Sequence, residues 1–207
     1  MRVRLVCFPA IVPAVIASAL ACSGLVACAR DSGAAAGSPD PATLEHPAVA
    51  LKPPAPGHVP DDLKPSDTEV LVAKAHAKGV QIYACVADAS GGTFSWEHQA
   101  PDAELTDDAG QHLGRHYVGP TWESTDGSKV VGEVVKKVEA PDGKGSAWLL
   151  MKSKGTQGTG VYANVTSIQR VDTVGGKPPS GGCDQSSMGT RQRVPYQANY
   201  YFYATRS

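Results

Sequence analysis

The tightest constraint on what this chain can fold into is a pattern of short alternating runs, clearest between His116 and Gly132. There H-Y-V-G-P-T-W-E-S-T-D-G-S-K-V-V-G sets two β-like runs around Asp126-Gly127. Glycine supplies the positive φ that a short hairpin turn needs. The pattern recurs on both sides. Val80, Ile82, Ala84 and Val86 alternate with Gln81, Tyr83, Cys85 and Ala87, and Phe94 shares a face with Trp96. Tyr196, Ala198, Tyr200 and Phe202 alternate with Gln197, Asn199, Tyr201 and Tyr203. Ala147 to Met151 is apolar on both faces, as a central strand is. Val161, Ala163 and Val165 read as one strand face, with a phase slip near Ser167 of the kind a bulge produces. Val130 to Val138 has helical spacing, but Gly132 and five valines favour a strand.

Ser66 to Lys78 is ambiguous. Ser66-x-x-Glu69 has the form of a capping box, and alanines at 73, 75 and 77 suit a helix. The same residues alternate in period two, which suits a strand turning at Lys78-Gly79 into the next, and that hairpin is the expectation here. Together the runs predict an all-β fold over residues 61–207. The expected form is a single antiparallel β-sandwich of seven to eight strands, with a closed β-barrel as the alternative. No alternation of strand with long helix supports an α/β fold.

The chain begins as a targeting signal does. Arg2 and Arg4 precede a stretch without charge from Leu5 to Ala29, the form of a secretory leader. Pro9 and Pro13 weaken the rival transmembrane reading. Leu25-Val26-Ala27-Cys28 has the form of a bacterial lipobox, and Ala19-Leu20-Ala21-Cys22 is a poorer match. The expectation is a lipoprotein signal peptide over 1–27 and a lipid anchor on Cys28. An ordinary leader that leaves Cys28 free is the alternative. Ala29, in place of an acidic retention residue, favours the outer membrane. Residues 28–60, rich in Ala and Pro with Pro53, Pro54, Pro56 and Pro60, read as a semi-extended tether.

Without Arg2 and Arg4, 17 of the 19 Lys and Arg remain against 20 Asp and Glu, a net charge of −3. Such a balance offers no electrostatic footprint for nucleic acid or anionic lipid, so membrane attachment falls to the lipid. Outside the leader and anchor only Cys85 and Cys183 remain, an even pair in an exported chain, and one disulfide is the simplest account. It would close a loop of about 100 residues, for which chain entropy gives at most roughly 4–5 kcal/mol. A redox or metal-binding pair is the alternative, and no C-x-x-C spacing supports it.

Several segments carry a family resemblance. They are K-G-V-Q-I-Y-A-C (78–85), the 116–132 stretch, W-L-L (148–150), I-Q-R-V-D-T-V-G-G-K-P-P-x-x-G-C (168–183) and V-P-Y…Y-Y-F-Y (194–203). Together they resemble domain-of-unknown-function family 3455, whose members are secreted bacterial and fungal proteins. The resemblance spans nearly the whole β region and leaves out the leader and tether. It implies no catalytic residues, because the family has no established activity. Some fungal relatives bear a malate dehydrogenase label. The G-x-G-x-x-G between strand and helix that such an enzyme needs is absent.

Each residue of a type that carries chemistry also has a plainer role. His112 and His116 form H-x-x-x-H, a spacing two zinc or copper ligands can use, with His98 or His76 to complete a set. Gly114 interrupts any helix there, and polar loop or strand-edge histidines are the plainer reading. Trp96, Trp122 and Trp148 in an exposed row would stack on envelope glycans, with Glu97, Glu123 and Asp126 hydrogen bonding. Alternating aromatics are more often core, and Trp122, after Gly119-Pro120 and among acids, is the expected exception. Glu123 and Asp126 are an acid/base candidate pair, although turn acids are commonplace. Asp107-Asp108-Ala109-Gly110 lacks the spaced ligands of a calcium loop. No Walker pattern or G-x-S-x-G elbow occurs. No cofactor is expected.

Gly175 to Cys183 reads as a loop pinned by the disulfide, with Arg170 and Asp172 orienting it as an ion pair. The candidate ligand-binding residues are Trp122, Glu123, Asp126, His116 and Arg170. The functional expectation is a lipid-anchored cell-envelope β domain that binds a glycan or protein partner, or is structural. A secreted metal-dependent or carbohydrate-active enzyme using residues 112–126 is the alternative.

Overall fold

A computed structural model describes residue 53 and residues 55–206. The leader, Cys28 and most of the tether lie outside the described residues. The described residues form eight strands: β1 (Glu69–Ala87), β2 (Phe94–Thr106), β3 (His112–Tyr117), β4 (Thr121–Ser124), β5 (Lys129–Val138), β6 (Trp148–Gln157), β7 (Val165–Gly175) and β8 (Arg191–Thr205). Each pairs antiparallel with the next, and β8 pairs back onto β1. The all-β class and the strand number are as the sequence implies. Of the two architectures it left open, the strand order is that of a closed barrel. Closure depends on β1, whose 19 residues serve both β2 and β8. Register shifts at Leu71/Ala73 and Ile82/Tyr83 bend it around the barrel.

β1 corrects the expected hairpin. The chain runs straight through Lys78-Gly79, and Gly79 marks a close approach rather than a turn. A Cβ there would collide with the backbone of Asp102 and Ala103 on β2. Half of the Ser66–Glu69 capping box does form, with Ser66 N donating to Glu69 Oε2 at 2.9 Å, but it closes a turn that enters a strand.

A second correction concerns residues 161–165. Val161 and Ala163 lie in a turn, and β7 begins at Val165. Backbone donors needed for a longer ladder are taken by the β4–β5 hairpin: Val161 N donates to Asp126 Oδ2 at 2.8 Å and Tyr162 N to Ser128 Oγ at 3.1 Å. The expected bulge beyond it is present, as a register shift between Val165 and Ser167.

The barrel interior is filled at one end by Ala75, Leu105, Val130, Ile168 and Phe202. Outside the wall a second cluster joins Leu71, Trp148, Val171, Tyr201 and Tyr203 to Val59 and Leu63. The chain entering the domain is therefore strapped across the barrel. Gln169 Nε2 donates to Leu63 O at 2.6 Å and fixes the strap.

Candidate ligand cavity

β1 shows how the interior divides. Its more apolar face, Val80, Ile82 and Ala84, is half-buried on the outside, whereas Gln81, Tyr83 and Cys85 point inward and are buried. A polar set faces inward because the barrel is not filled there. A cavity of about 580 Å³ opens among Gln81, Tyr83, His98, His116, Trp122, Ser146, Leu149, Met151, Arg170 and Tyr200. That volume falls within the roughly 300–1,000 Å³ of small-molecule sites.

An aromatic block forms one wall. His116 stacks on Trp122 with centroids 4.2 Å apart, and both meet Tyr200 edge-on at 5.0 and 5.2 Å. His116 Nδ1 donates to Thr121 O at 2.9 Å. Burial pushes the His116 pKa down to about 3, so the ring is neutral and its Nε2 is left as an acceptor. Gly132 makes room for the indole: a Cβ there would lie 2.9 Å from Trp122 Cζ3.

Another wall comes from the loop after β7. Tyr83 Oη donates to Gly176 O at 2.7 Å, and Gly176, Lys177 and Pro178 line the cavity. The Cys85–Cys183 disulfide, with Cα atoms 5.3 Å apart, ties this loop to the end of β1. Cys85 is fully buried. The pairing and the pinned loop are as the sequence implies. The crosslink therefore holds one side of the cavity in place.

Arg170 projects into this space from β7. Its Nε and Nη2 donate to Ala147 O at 3.2 and 2.8 Å. The expected ion pair with Asp172 does not form. A bulge between Val171 and Val174 places Asp172 at φ 52°, and its carboxylate accepts instead from Asn199 Nδ2 at 2.9 Å. Burial lowers the His98 pKa, and the Arg170 charge lowers it further.

Of the residues singled out in the sequence, Trp122, His116 and Arg170 line the cavity, while Glu123, Asp126 and His112 do not. Trp122, the expected exposed exception, has 0% exposure because it points into the barrel. Trp148 is buried under the N-terminal strap, and Trp96 is half-buried with its Nε1 donating to Gly181 O. The three indoles form no exposed row.

The acidic candidates are occupied on the outer surface. Glu123 accepts from Tyr117 Oη at 2.7 Å and pairs with Lys129 at 3.1 Å. Asp126 accepts from Ser128 N, Ser128 Oγ and Val161 N, which holds its pKa down at about 2.

The two histidines of H-x-x-x-H diverge. His112 sits outside on Glu104 at 2.9 Å, while His116 is buried within. His76 lies outside against Asn199 and Asp108. Among the described residues, no three His, Cys, Asp or Glu side chains are grouped to hold a metal. Sequence reasoning missed Gln81, Tyr83, Ser146 and Tyr200 as cavity residues. For Gln81 and Tyr83 the available signal was that they share one face of β1 while Val80, Ile82 and Val86 share the other.

The fold and site define a class: an eight-stranded antiparallel barrel, crosslinked once, with a cavity of mixed polar and apolar lining at its mouth. The chain belongs to the family described as protein of unknown function DUF3455, whose model matches residues 65–204. No curated protein and no solved structure matches it.

Proposed function

We propose that this protein is a lipid-anchored envelope binding module that takes a small molecule into the mouth of its barrel. The observation that carries the reading is a set of buried, unpartnered polar atoms around the cavity. Gln81 Nε2, Trp122 Nε1, Ser146 Oγ and Tyr200 Oη all belong to side chains lining it, and none makes a hydrogen bond among the described residues. Leaving such a group unpaired costs roughly 1–3 kcal/mol, so four around one cavity mark a space suited to a polar guest, which a ligand fills in place of water. An eight-stranded barrel is also of the size that holds one small ligand. Charged pairs on the outer wall, such as Arg193–Asp102 at 2.7 Å and Lys74–Asp108 at 2.5 Å, suit a barrel that faces water.

The anchored, outer-membrane part of the reading rests on the charged start, the apolar run and Leu25-Val26-Ala27-Cys28. The tether would then hold the cavity clear of the bilayer, where an envelope metabolite, glycan fragment or partner protein reaches it.

Two measurements test the two halves. Cell fractionation should find the chain with the membranes and its Cys28→Ala variant released; a variant that stays after washing overturns the anchor. Native mass spectrometry of Cys28→Ala protein from an oxidising compartment should show a small-molecule mass excess that is lost on denaturation. A bare mass, together with no binding in a small-molecule thermal-shift screen, overturns the binding module.

A further inference from the structure

Arg170 is a cation inside a barrel without a counter-charge. Among the described residues it makes no ion pair. Its side-on edge, Nε with Nη2, is spent on the single carbonyl of Ala147. The end-on edge, Nη1 with the second Nη2 hydrogen, meets no carboxylate or carbonyl among the described residues, and the polar side chain beside the guanidinium is the uncharged Tyr200 hydroxyl. A half-buried guanidinium with one edge unpaired is placed to meet a negative group.

The surroundings do not supply that charge. Glu139, the one carboxylate lining the cavity, is exposed and not paired with Arg170, and Lys137 and Lys177 add positive charge. Burial pushes the pKa of both His116 and His98 down, away from the charged form, and the Arg170 charge contributes to both shifts. The same charge partly offsets the upward push of burial on Tyr83 and Tyr200. The guanidinium therefore lies within electrostatic reach of four rings around the cavity.

The unpartnered groups also point one way. Trp122 Nε1 and Gln81 Nε2 are donors only, and the hydroxyls of Ser146 and Tyr200 can donate. Gln81 Oε1 is already engaged by His98 Nε2 at 2.5 Å. A site with many donors and few acceptors fits a ligand rich in acceptors. Tyr83, Leu149, Met151 and Val134 give the lining an apolar and aromatic part, which suits a carbon body rather than an inorganic ion.

We infer that the barrel cavity binds a small organic carboxylate. Its acid group is met by the end-on edge of Arg170, and further acceptors are met by Trp122, Tyr200, Gln81 and Ser146. The apolar body lies against Leu149 and Met151. A planar carboxylate matches the guanidinium fork, which a lysine at the same position would not reproduce. This rests on the small-molecule reading above and gives it a ligand class.

The test compares 3-phenylpropanoate with its neutral isostere 3-phenylpropanamide on the full chain carrying Cys28→Ala. Binding is followed by calorimetry and by the indole N–H resonance of Trp122. The carboxylate should bind at least tenfold more tightly than the amide and move the Trp122 resonance. Arg170→Gln should abolish the discrimination, and Arg170→Lys should retain only part of it. If Arg170→Gln does not fold, the ratio in the unsubstituted site and in Arg170→Lys decides.

Equal binding of acid and amide would overturn the carboxylate assignment while leaving a small-molecule cavity standing. So would binding of neither probe by a protein that retains a neutral molecule in native mass spectrometry. Binding of neither probe, with no retained molecule and no hit in the thermal-shift screen, would remove both readings.

Discussion

Lowering the pH from 7 to 5 should destabilise this protein by about 2 kcal/mol through His116 alone. The folded ring has a pKa near 3, because it is fully buried between Trp122 and Tyr200 and donates only to Thr121 O. In the unfolded chain it returns to about 6.5. A base whose pKa is depressed by folding binds more protons when unfolded, so its contribution is complete above pH 6.5 and is lost as pH falls toward 3. The full window is about 3.5 units, or roughly 5 kcal/mol at 1.36 kcal/mol per unit, and about 2 kcal/mol of it is lost by pH 5.

Stopping at pH 5 avoids the carboxylates. Asp102, Asp108, Asp126 and Glu123 are all held below their ordinary values by their partners, and their contributions fall away only in more acid solution. The assay is urea unfolding of oxidised protein at pH 7 and pH 5, for the unsubstituted chain and His116→Gln. Glutamine can still donate to Thr121 O but does not titrate. Whatever its baseline stability, its loss between the two pH values should be smaller by about 2 kcal/mol. His98, also depressed, contributes to both proteins and cancels. Equal losses in the two proteins, or a His116 resonance titrating near pH 6.5, would refute the reasoning.

Two further outcomes follow from the packing. Gly132→Ala should cost roughly 1–3 kcal/mol by overpacking, because the added methyl meets Trp122 at 2.9 Å and Ile168 at 3.4 Å; unchanged thermal unfolding would show that the indole wall is soft. Replacing Cys85 and Cys183 with alanine should lower stability by about 2–5 kcal/mol and loosen the 176–178 wall of the cavity. Faster amide exchange at Gly176 and Lys177 than in β4 would mark that local loosening, and uniform acceleration would contradict it.

Much of the secondary structure was legible because strands write their period into sequence. The 116–132 hairpin appears where Asp126-Gly127 puts it, with Gly127 at φ 84°. β5 is a strand despite its helical spacing, and the slip near Ser167 is a real register shift. Failures came where a local signal had a distant cause. Gly79 looked like a turn because a missing side chain reads as a break, yet the space it leaves is taken by β2. Val161 and Ala163 alternate like a strand, but their neighbourhood is organised by Asp126 and Ser128, more than thirty residues earlier.

The site divides in the same way. Trp122, His116 and Arg170 stood out by residue type, and the cavity contains all three. Glu123, Asp126 and His112 stood out equally and face outward: Glu123 alternates with the inward Trp122, Asp126 sits in the turn after β4, and the β2–β3 register shift breaks the alternation between His112 and His116.

The sequence by itself determined that this is a β protein with one crosslink, since alternation and cysteine count are local or combinatorial properties of the chain. It also carried the family resemblance that the family model shows over residues 65–204. Only the tertiary structure decided which face of each strand lies inside, because closure of β8 onto β1 is a pairing between the two ends of the domain. That closure places Gln81, Tyr83, Arg170 and Tyr200 around one space, although each is separated from the next by anything from one residue to most of the domain. A binding cavity arises from such convergence, and convergence has no period that a sequence can display.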